Sequence, residues 1–268
     1  MCVIFYPMSF LKNLEKKVWE DVNLGQVKGW QCTPFLKFAN LKHLFTGKAG
    51  DFNLANHEPT IFPKHSVEKN RKTLCKNLDL NYESLIILPI VHSDNVIILE
   101  TQSQKITESD AIITHLTNIP ILITAADCVP ILLYAPEKKV FGLVHAGWKG
   151  TCAKIAEKAV ITMQENYMIR PSQIIAAIGP AIGQKHYEVS EEIAGLLVNA
   201  TETEQIIDKS TNKPRADLKL ANQIQLDNAG VSKIFVSDLD TGSHISLLYS
   251  HRIQGKRAGR QGLIACMV

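Results

Sequence analysis

The chain has 268 residues, of which 46% are hydrophobic and 21% charged, and its formal net charge is +3. This composition is that of an ordinary globular protein, and so small a net charge gives no reason to expect nucleic-acid binding. No segment approaches the ~18 consecutive apolar residues of a membrane span, so no membrane association is expected. The N-terminal segment places apolar residues before basic ones, the reverse of a secretory signal, and we expect a cytoplasmic protein.

The cysteines are widely spread along the chain and form no C-x-x-C pair. They are Cys2, Cys32, Cys75, Cys128, Cys152 and Cys266. In a chain of this length such a distribution favours free thiols in a reducing compartment over a disulfide framework.

Short apolar runs predict the strands of the protein. In chain order they are Ile86–Leu88, Val96–Glu100, Ile121–Thr124, Pro130–Tyr134, Val140–Val144, Ile174–Ile178, Lys233–Val236 and Ser246–Tyr249. A turn around Pro136 would join the fourth and fifth of these runs into a hairpin.

Helical spacing of apolar residues predicts helices between some of these strands. One should begin near Thr151, and Ser66, Ser190 and Asp217 are candidate N-caps of three others. Gly230 suits the left-handed position that ends the last of them. The mixture of elements predicts an α/β or α+β fold with a partly antiparallel sheet, and no linker divides the chain.

Three apolar segments end at or beside a possible metal ligand: His92, Cys128 and His145. Two imidazoles and one thiolate form a three-ligand set for zinc or a similar ion, with a coordination position left for water or substrate. The ligands are far apart in sequence, however. Spacing alone therefore favours a buried structural cysteine and two histidines that serve only as hydrogen-bonding groups.

The stretch that follows His145, Ala-Gly-Trp-Lys-Gly, places two glycines around Trp148 and Lys149. Glycine permits a positive φ or a close approach of the backbone. A helix starting here would point backbone N–H groups at the site, a setting that favours an anion. A tight strand-to-helix turn with Trp148 in the core explains the pattern as well.

Several motifs occur in the order found in the bacterial YfiH/PgeF-like family, which the chain resembles from about Leu44 to its C-terminus. They are HSD, TAADCVP, VHAGWKG, GPAIG followed by YEV, and AGR. Members of that family have been named laccase-domain or multicopper polyphenol oxidase proteins, peptidoglycan editing factor and purine nucleoside phosphorylase. Residues 1–40 are less distinctive.

The resemblance implies a single α/β domain over residues 1–268, a layered sandwich of mixed sheets flanked by helices. It implies a metal site at His92, Cys128 and His145, which would hold Zn²⁺, with Cu²⁺ as the alternative ion. It also implies phosphorolysis of adenosine, inosine, guanosine and methylthioadenosine to free base and ribose 1-phosphate, together with adenosine deaminase activity. Purine nucleosides and phosphate would then be the partners.

The same resemblance places candidate substrate contacts at Asn53, Arg71 and Arg260. Lys48 and Lys149 stand where the family usually has arginine, and they keep the charge but not the bidentate fork. Ile90 replaces a usual glutamine and Asp240 a common cysteine.

The two implied reactions suggest roles for further residues. In deamination, water activated at the metal would attack the purine C6, and Asp127 is the nearest candidate acid–base group in sequence, with a turn cap as the alternative role. In phosphorolysis, the cations Lys48, Arg71, Lys149 and Arg260 would contact the phosphate or the leaving base.

Three other functions remain open at this point. A copper-dependent phenol oxidase is the main alternative, although no H-x-H pair supports a multicopper cluster. A metal-free hydrolase would use Cys128 as nucleophile and His145 as base. A non-catalytic partner of cell-wall enzymes has no support in the composition.

Overall fold

The computed structural model describes residues 18–56 and 61–268. The N-terminal segment used above for the expected localisation, with Cys2, lies outside the described residues. The other five cysteines are free thiols, as expected.

In the described part of the chain the strands alternate irregularly with helices. The strands are β1 (Trp19–Leu24), β2 (Val27–Cys32), β3 (Leu41–Thr46), β4 (Ile86–Ile87), β5 (Val96–Leu99), β6 (Ala111–Thr114), β7 (Ile121–Ala125), β8 (Val129–Ala135), β9 (Val140–Ala146), β10 (Ile175–Ile178), β11 (Ile207–Asp208), β12 (Arg215–Ala216), β13 (Lys233–Val236) and β14 (Gln261–Met267). The helices are α1 (Lys64–Asn77), α2 (Trp148–Cys152), α3 (Ile155–Tyr167), α4 (Glu191–Thr201), α5 (Leu218–Asn228) and α6 (His251–Gln254).

The strands form two six-stranded mixed sheets and a two-stranded ribbon of β11 and β12. The first sheet has the order β1-β2-β3-β14-β7-β4, antiparallel except for the parallel pair β4 and β7. The second has the order β13-β10-β8-β9-β6-β5, with parallel pairs at both edges. The predicted fold class, a mixed α/β sandwich, is confirmed.

Alternation along the strands explains the layering. In β8, Leu132 and Tyr134 belong to the apolar cluster between the two sheets, whereas Ile131 and Leu133 belong to the cluster that includes α3, α4 and α5. In the first sheet, Leu122 and Ile264 face the other way and pack with α1. Since successive strand residues point to opposite faces, both sheets are buried on two sides and the order of layers is helix, sheet, sheet, helix.

Most of the predicted elements are present, and the hairpin of β8 and β9 is confirmed. Ser190 and Asp217 cap α4 and α5 as predicted, each accepting a hydrogen bond from a backbone N–H. The prediction at Ser66 is wrong in detail, because α1 begins at Lys64 after Pro63 and the Ser66 hydroxyl donates to the Pro63 carbonyl.

Two other predictions need correction. The strand predicted at Ser246–Tyr249 is a series of turns, since the amides of Leu247 and Leu248 both donate to the carbonyl of His244. The helix predicted from Thr151 is two helices, α2 and α3, separated by a left-handed residue at Lys154 (φ 59°). None of the helices within residues 18–56 and 61–268 has the length and apolarity needed to cross a bilayer.

Candidate active site

The three predicted metal ligands come together at one end of the sandwich. His92 lies in the loop after β4, Cys128 in the turn between β7 and β8, and His145 in β9. One ligand atom of each, two ring nitrogens and the Cys128 Sγ, lie within 4.8 Å of one another. The structure therefore shows a candidate metal site built from both sheets.

A carboxylate that the sequence motifs did not single out organises this cluster. Asp110, fully buried just before β6, lies with its Oδ1 2.8 Å from the Nδ1 of His145. It also accepts hydrogen bonds from the amides of His92 and Ser93 and from the Ser93 hydroxyl. One side chain thus orients His145 and holds the loop that carries His92, whose backbone is left-handed at φ 60°.

The protonation states follow from this packing. Burial disfavours the Cys128 thiolate, but the charge and hydrogen bond of His145 and a hydrogen bond from His92 outweigh it and lower the pKa of Cys128 to about 6. Burial likewise opposes the charge on His145, yet Cys128 and Asp110 together raise the pKa of His145 to about 9. These shifts favour a thiolate at Cys128 beside an imidazolium at His145.

Gly147 makes room for the cluster. A Cβ at this position would lie 3.1 Å from the Cys128 Sγ and 3.2 Å from the Cδ2 of His92. The φ of Gly147 is −75°, so the glycine serves close approach and not an unusual backbone conformation.

The donor set fits a zinc or copper ion. Thiolate and imidazole are the ligands that these metals prefer, and three of them leave a position open. The carboxylate of Asp110 accepts from the Nδ1 of His145, which leaves the Nε2 as the donor atom, the usual second contact of a metal-bound histidine. In the described part of the chain, this trio is the one group of His, Cys, Asp or Glu side chains close enough to hold an ion.

The cluster opens into a cavity of about 710 Å³, which is within the range of small-molecule sites. We call this cavity the catalytic chamber. It is lined by Ala55, Asn56, Arg71, Ile87, Leu88, Pro89, Ile90, His92, Thr124, Ala125, Ala126, Asp127, Cys128, His145, Trp148, Tyr187, His251, Arg252 and Arg260.

Only some of the predicted substrate contacts line this chamber. Arg71 and Arg260 do. Trp148, which was not among these predictions, lines the chamber too and is half-buried. Lys48, Asn53 and Lys149 do not. The Nζ of Lys48 donates to the Ile245 carbonyl, and Lys149 is exposed with its Nζ over the Trp148 ring.

Asn53 is fully buried, and its side chain forms hydrogen bonds with backbone groups of chamber-lining residues. Its Oδ1 accepts from the amides of Ala55 and Arg260, and its Nδ2 donates to the Ala55 carbonyl. The side chain therefore fixes the segment that carries Arg260 next to the loop before α1.

Both arginines are tied to carbonyl groups at the chamber wall. The Nε of Arg71 donates to the Leu54 carbonyl, and one terminal nitrogen of Arg260 donates to the carbonyls of Ala258 and Gly259. Burial lowers the pKa of each guanidinium. The remaining N–H groups have no protein acceptor among the described residues, so both are suited to an anion in the chamber.

Asp127 lines the chamber, but its carboxylate is engaged. One oxygen accepts from the Thr241 hydroxyl and the other from the Arg252 amide, each at 2.6 Å. Its backbone is left-handed at φ 88°. These contacts join the turn that holds Cys128 to the segment that begins α6.

Sequence reasoning missed Asp110, Tyr187 and Arg252. Asp110 could have been found from its position just before β6, because β6 pairs with β9 and brings Asp110 beside His145. The sequence patterns did not predict β6, however. Arg252 and Tyr187 lie in segments without a metal-ligand pattern. The two departures noted above have clear places: Ile90 lines the chamber, and Asp240 accepts from the amides of Gly183 and Gly242.

Comparison with known proteins agrees with this geometry. Residues 44–268 match the family described as multi-copper polyphenol oxidoreductase laccase. The chain belongs to this family. A purine nucleoside phosphorylase from Deinococcus radiodurans is 33% identical over 234 residues, 85% of this chain and 90% of the relative.

Solved structures agree as well. YlmD from Geobacillus stearothermophilus has a TM-score of 0.85 at 28% identity and covers 94% of this chain and 99% of its own. YfiH from Bacillus licheniformis has a TM-score of 0.81 at 25% identity, over 91% and 97% of the two chains. The two-sheet sandwich is thus the fold of this enzyme family.

Proposed function

We propose that the protein is a metal-dependent purine nucleoside phosphorylase that converts adenosine, inosine, guanosine or methylthioadenosine and phosphate to free base and ribose 1-phosphate. The observation that carries this proposal is the cluster of His92, Cys128 and His145 in a chamber bordered by Arg71 and Arg260. The names of relatives such as the Deinococcus radiodurans enzyme support it. The free thiols suit a cytoplasmic location.

We infer that His92, Cys128 and His145 hold zinc. Zinc held by these residues would supply a Lewis acid for polarising a substrate atom or activating water. Asp110 keeps the Nδ1 of His145 protonated and thereby directs its Nε2 to the ligand position.

In phosphorolysis a phosphate oxygen forms a bond to C1′ of the ribose while the bond from C1′ to the purine nitrogen breaks. The electron pair leaves with the base, which takes up a proton. Arg71 and Arg260 would bind the phosphate, and Trp148 offers an aromatic wall for the purine. Because hydrogen bonds to backbone carbonyls already hold the two arginines, their side chains need little reorganisation during the reaction.

We propose adenosine deamination as a second activity of the same site. Here water adds to C6 of the purine and ammonia leaves. Because both oxygens of Asp127 already accept hydrogen bonds, we assign it the positioning of Cys128 and not the transfer of the proton. Thr241 and the amide of Arg252 would have to release it before it could act as a base.

The decisive experiment incubates the purified protein with adenosine, with and without phosphate, and identifies the products. Adenine and ribose 1-phosphate that form only with phosphate support phosphorolysis, and inosine supports deamination. His145→Ala should abolish both activities with an unchanged circular dichroism spectrum. The exposed His115→Ala variant is the matched control. Turnover by His145→Ala would contradict the metal-site mechanism.

A copper-dependent polyphenol oxidase is the second candidate, because the family is described by that activity. Most nitrogen and sulfur sites bind copper more tightly than zinc. A multicopper cluster, however, needs more ligands than the single trio found within the described residues. Metal analysis of protein purified without added copper, with phenol oxidation measured in parallel, separates the two candidates.

A further inference from the structure

A second cavity, of about 430 Å³, adjoins the catalytic chamber and shares Trp148, Tyr187 and Arg252 with it. We call it the outer chamber. Its other lining residues come from the segment leading into α4, from the first turn of α4 and from the segment before β12: Glu188, Val189, Ser190, Glu191, Ile193, Asn212, Lys213 and Pro214. The two cavities therefore meet at these three side chains.

The outer chamber combines an apolar floor with a charged rim. Val189 and Pro214 are buried and Ile193 is half-buried, whereas Glu188 and Lys213 are exposed. An apolar chain could cross such a floor and end in charged groups at the rim.

The rim charges are not neutralised by the protein. Glu188, Glu191 and Lys213 form no ion pair with any residue in ranges 18–56 and 61–268. The two carboxylates are balanced by two cations, Lys213 and Arg252. A balanced set of this kind suits a group that carries both an ammonium and a carboxylate, because a singly charged group would leave one sign unpaired.

Arg252 is held in place at the boundary between the chambers. Its amide donates to Asp127, next to Cys128, and its guanidinium lies 4.9 Å from the centre of the Tyr187 ring. One terminal nitrogen donates to the Glu188 carbonyl at 2.8 Å. Its other guanidinium N–H groups have no protein acceptor in the described structure, so they can bind a carboxylate.

The chemistry of the reaction limits which part of a substrate can leave the catalytic chamber. The purine and C1′ must stay near the metal ligands and the phosphate. The 5′ carbon is the end of the nucleoside remote from the breaking bond, so a substituent there can extend outward without disturbing the reaction.

We propose that the outer chamber binds the tail of a 5′-substituted purine nucleoside, a tail that crosses the apolar floor and ends in an amino-acid zwitterion. The ammonium pairs with Glu188 and Glu191, and the carboxylate pairs with Lys213 and Arg252. This inference rests on the proposed function, which places the nucleoside in the catalytic chamber.

The test compares two ligands by calorimetry in phosphate-free buffer, with the metal-loaded protein. S-adenosylhomocysteine carries the zwitterionic tail, and 5′-methylthioadenosine has the same nucleoside and thioether without it. The wild-type protein should bind the first about tenfold more tightly, the difference expected from two or three partly exposed charge pairs. Chromatography of the recovered ligands checks that the tail is intact.

The variants locate the effect. The double variant Glu188→Gln and Glu191→Gln, and separately Lys213→Gln, should bring the affinity ratio close to one and leave the dissociation constant of methylthioadenosine unchanged. Glu192→Gln is the matched control, since Glu192 is an exposed acid in the same turn of α4 that does not line the chamber. It should keep the wild-type ratio.

Three outcomes would overturn the inference. The wild type could bind both ligands equally well, it could bind neither, or the affinity ratio could stay unchanged after the three rim substitutions. Adenosine phosphorolysis is measured on the same preparations. Turnover together with a ratio of one means that the proposed function stands and the inference fails. A tenfold ratio without turnover means that the tail site stands and the proposed function fails.

Discussion

Asp110 and His145 form a buried carboxylate–imidazole pair whose atoms lie 2.8 Å apart, and the same carboxylate receives the amides of the loop that carries His92. Two of the three candidate metal ligands are therefore positioned by one side chain. The pair is possible because β6 and β9 are antiparallel, with Ala111 opposite Val144. The residues that flank these two are Asp110 and His145.

Asp110→Asn is expected to reduce both metal affinity and kcat/KM for adenosine phosphorolysis by about 10–100-fold, since outer contacts of metal ligands have effects of this size. Chelator competition and steady-state kinetics provide the two readouts. Asp94→Asn is the control, because Asp94 lies in the same loop but pairs with Lys158 at the surface. Unchanged metal affinity in Asp110→Asn would contradict the role assigned to the pair.

Gly147→Ala is expected to lower metal content and activity, because the new Cβ would press on the Cys128 Sγ at 3.1 Å. Gly195→Ala, in α4, has nothing within 4 Å of its Cβ and should stabilise the protein by about 0.5–1 kcal/mol. Metal analysis and urea denaturation of both variants separate a local effect at the site from a general effect of alanine. Full metal occupancy in Gly147→Ala would show that the contact is tolerated.

Arg71→Gln and Arg260→Gln are each expected to raise KM for phosphate by about 10-fold or more, the loss that follows removal of a charge-assisted hydrogen bond. Lys48→Gln and Lys149→Gln should change it by less than about twofold, because neither lysine lines the catalytic chamber. Initial rates at varied phosphate and saturating adenosine measure the effect. A larger increase for the lysines than for the arginines would reverse the assignment.

His43 predicts a specific dependence of stability on pH. Burial lowers the pKa of His43 to about 4, while the Cys32 amide donates to its Nε2. An unfolded histidine titrates near ~6.5, so between these values the unfolded chain binds more protons and stability falls as pH falls. Through His43 alone, the free energy of unfolding should fall by about 2 kcal/mol when the pH is lowered from 7 to 5.

Urea denaturation of the wild type and of His43→Gln at both pH values isolates this contribution. The variant keeps an acceptor for the Cys32 amide but cannot titrate, so its loss of stability should be smaller by about 2 kcal/mol. His65→Gln, at an exposed position of α1, should behave as the wild type. Equal pH dependence of wild type and His43→Gln would show that His43 is not held neutral.

Sequence patterns predicted the central strands well because β8 and β9 are continuous apolar runs joined by a short turn. They missed the first three strands, β1, β2 and β3, and the two-residue strands β11 and β12. They also missed β6 and β14, whose four and seven residues lie among small and polar neighbours. The ligand trio became a candidate because each member ends or follows an apolar segment, and the family resemblance then favoured it as a metal site. Asp110 was not, since its role depends on a strand pairing between residues 35 positions apart.

The substrate contacts show the same limit. Lys48 and Lys149 were predicted to contact substrate because they stand in motif positions. The direction in which a side chain points, however, is decided by tertiary contacts. Lys48 turns to the Ile245 carbonyl, almost two hundred residues later in the chain. Arg252 occupies the chamber wall without any motif, because the Asp127 carboxylate fixes its amide there.

Cys128 lies where the chain crosses from the first sheet to the second, between β7 and β8, while His92 follows a strand of the first sheet and His145 belongs to the second. An ion held by all three would cross-link the two sheets at this end of the sandwich. Separation of the sheets and release of the ion would then be one event. The melting temperature of the whole protein would rise with the concentration of free metal, and a chelator would weaken the fold far from the site it empties.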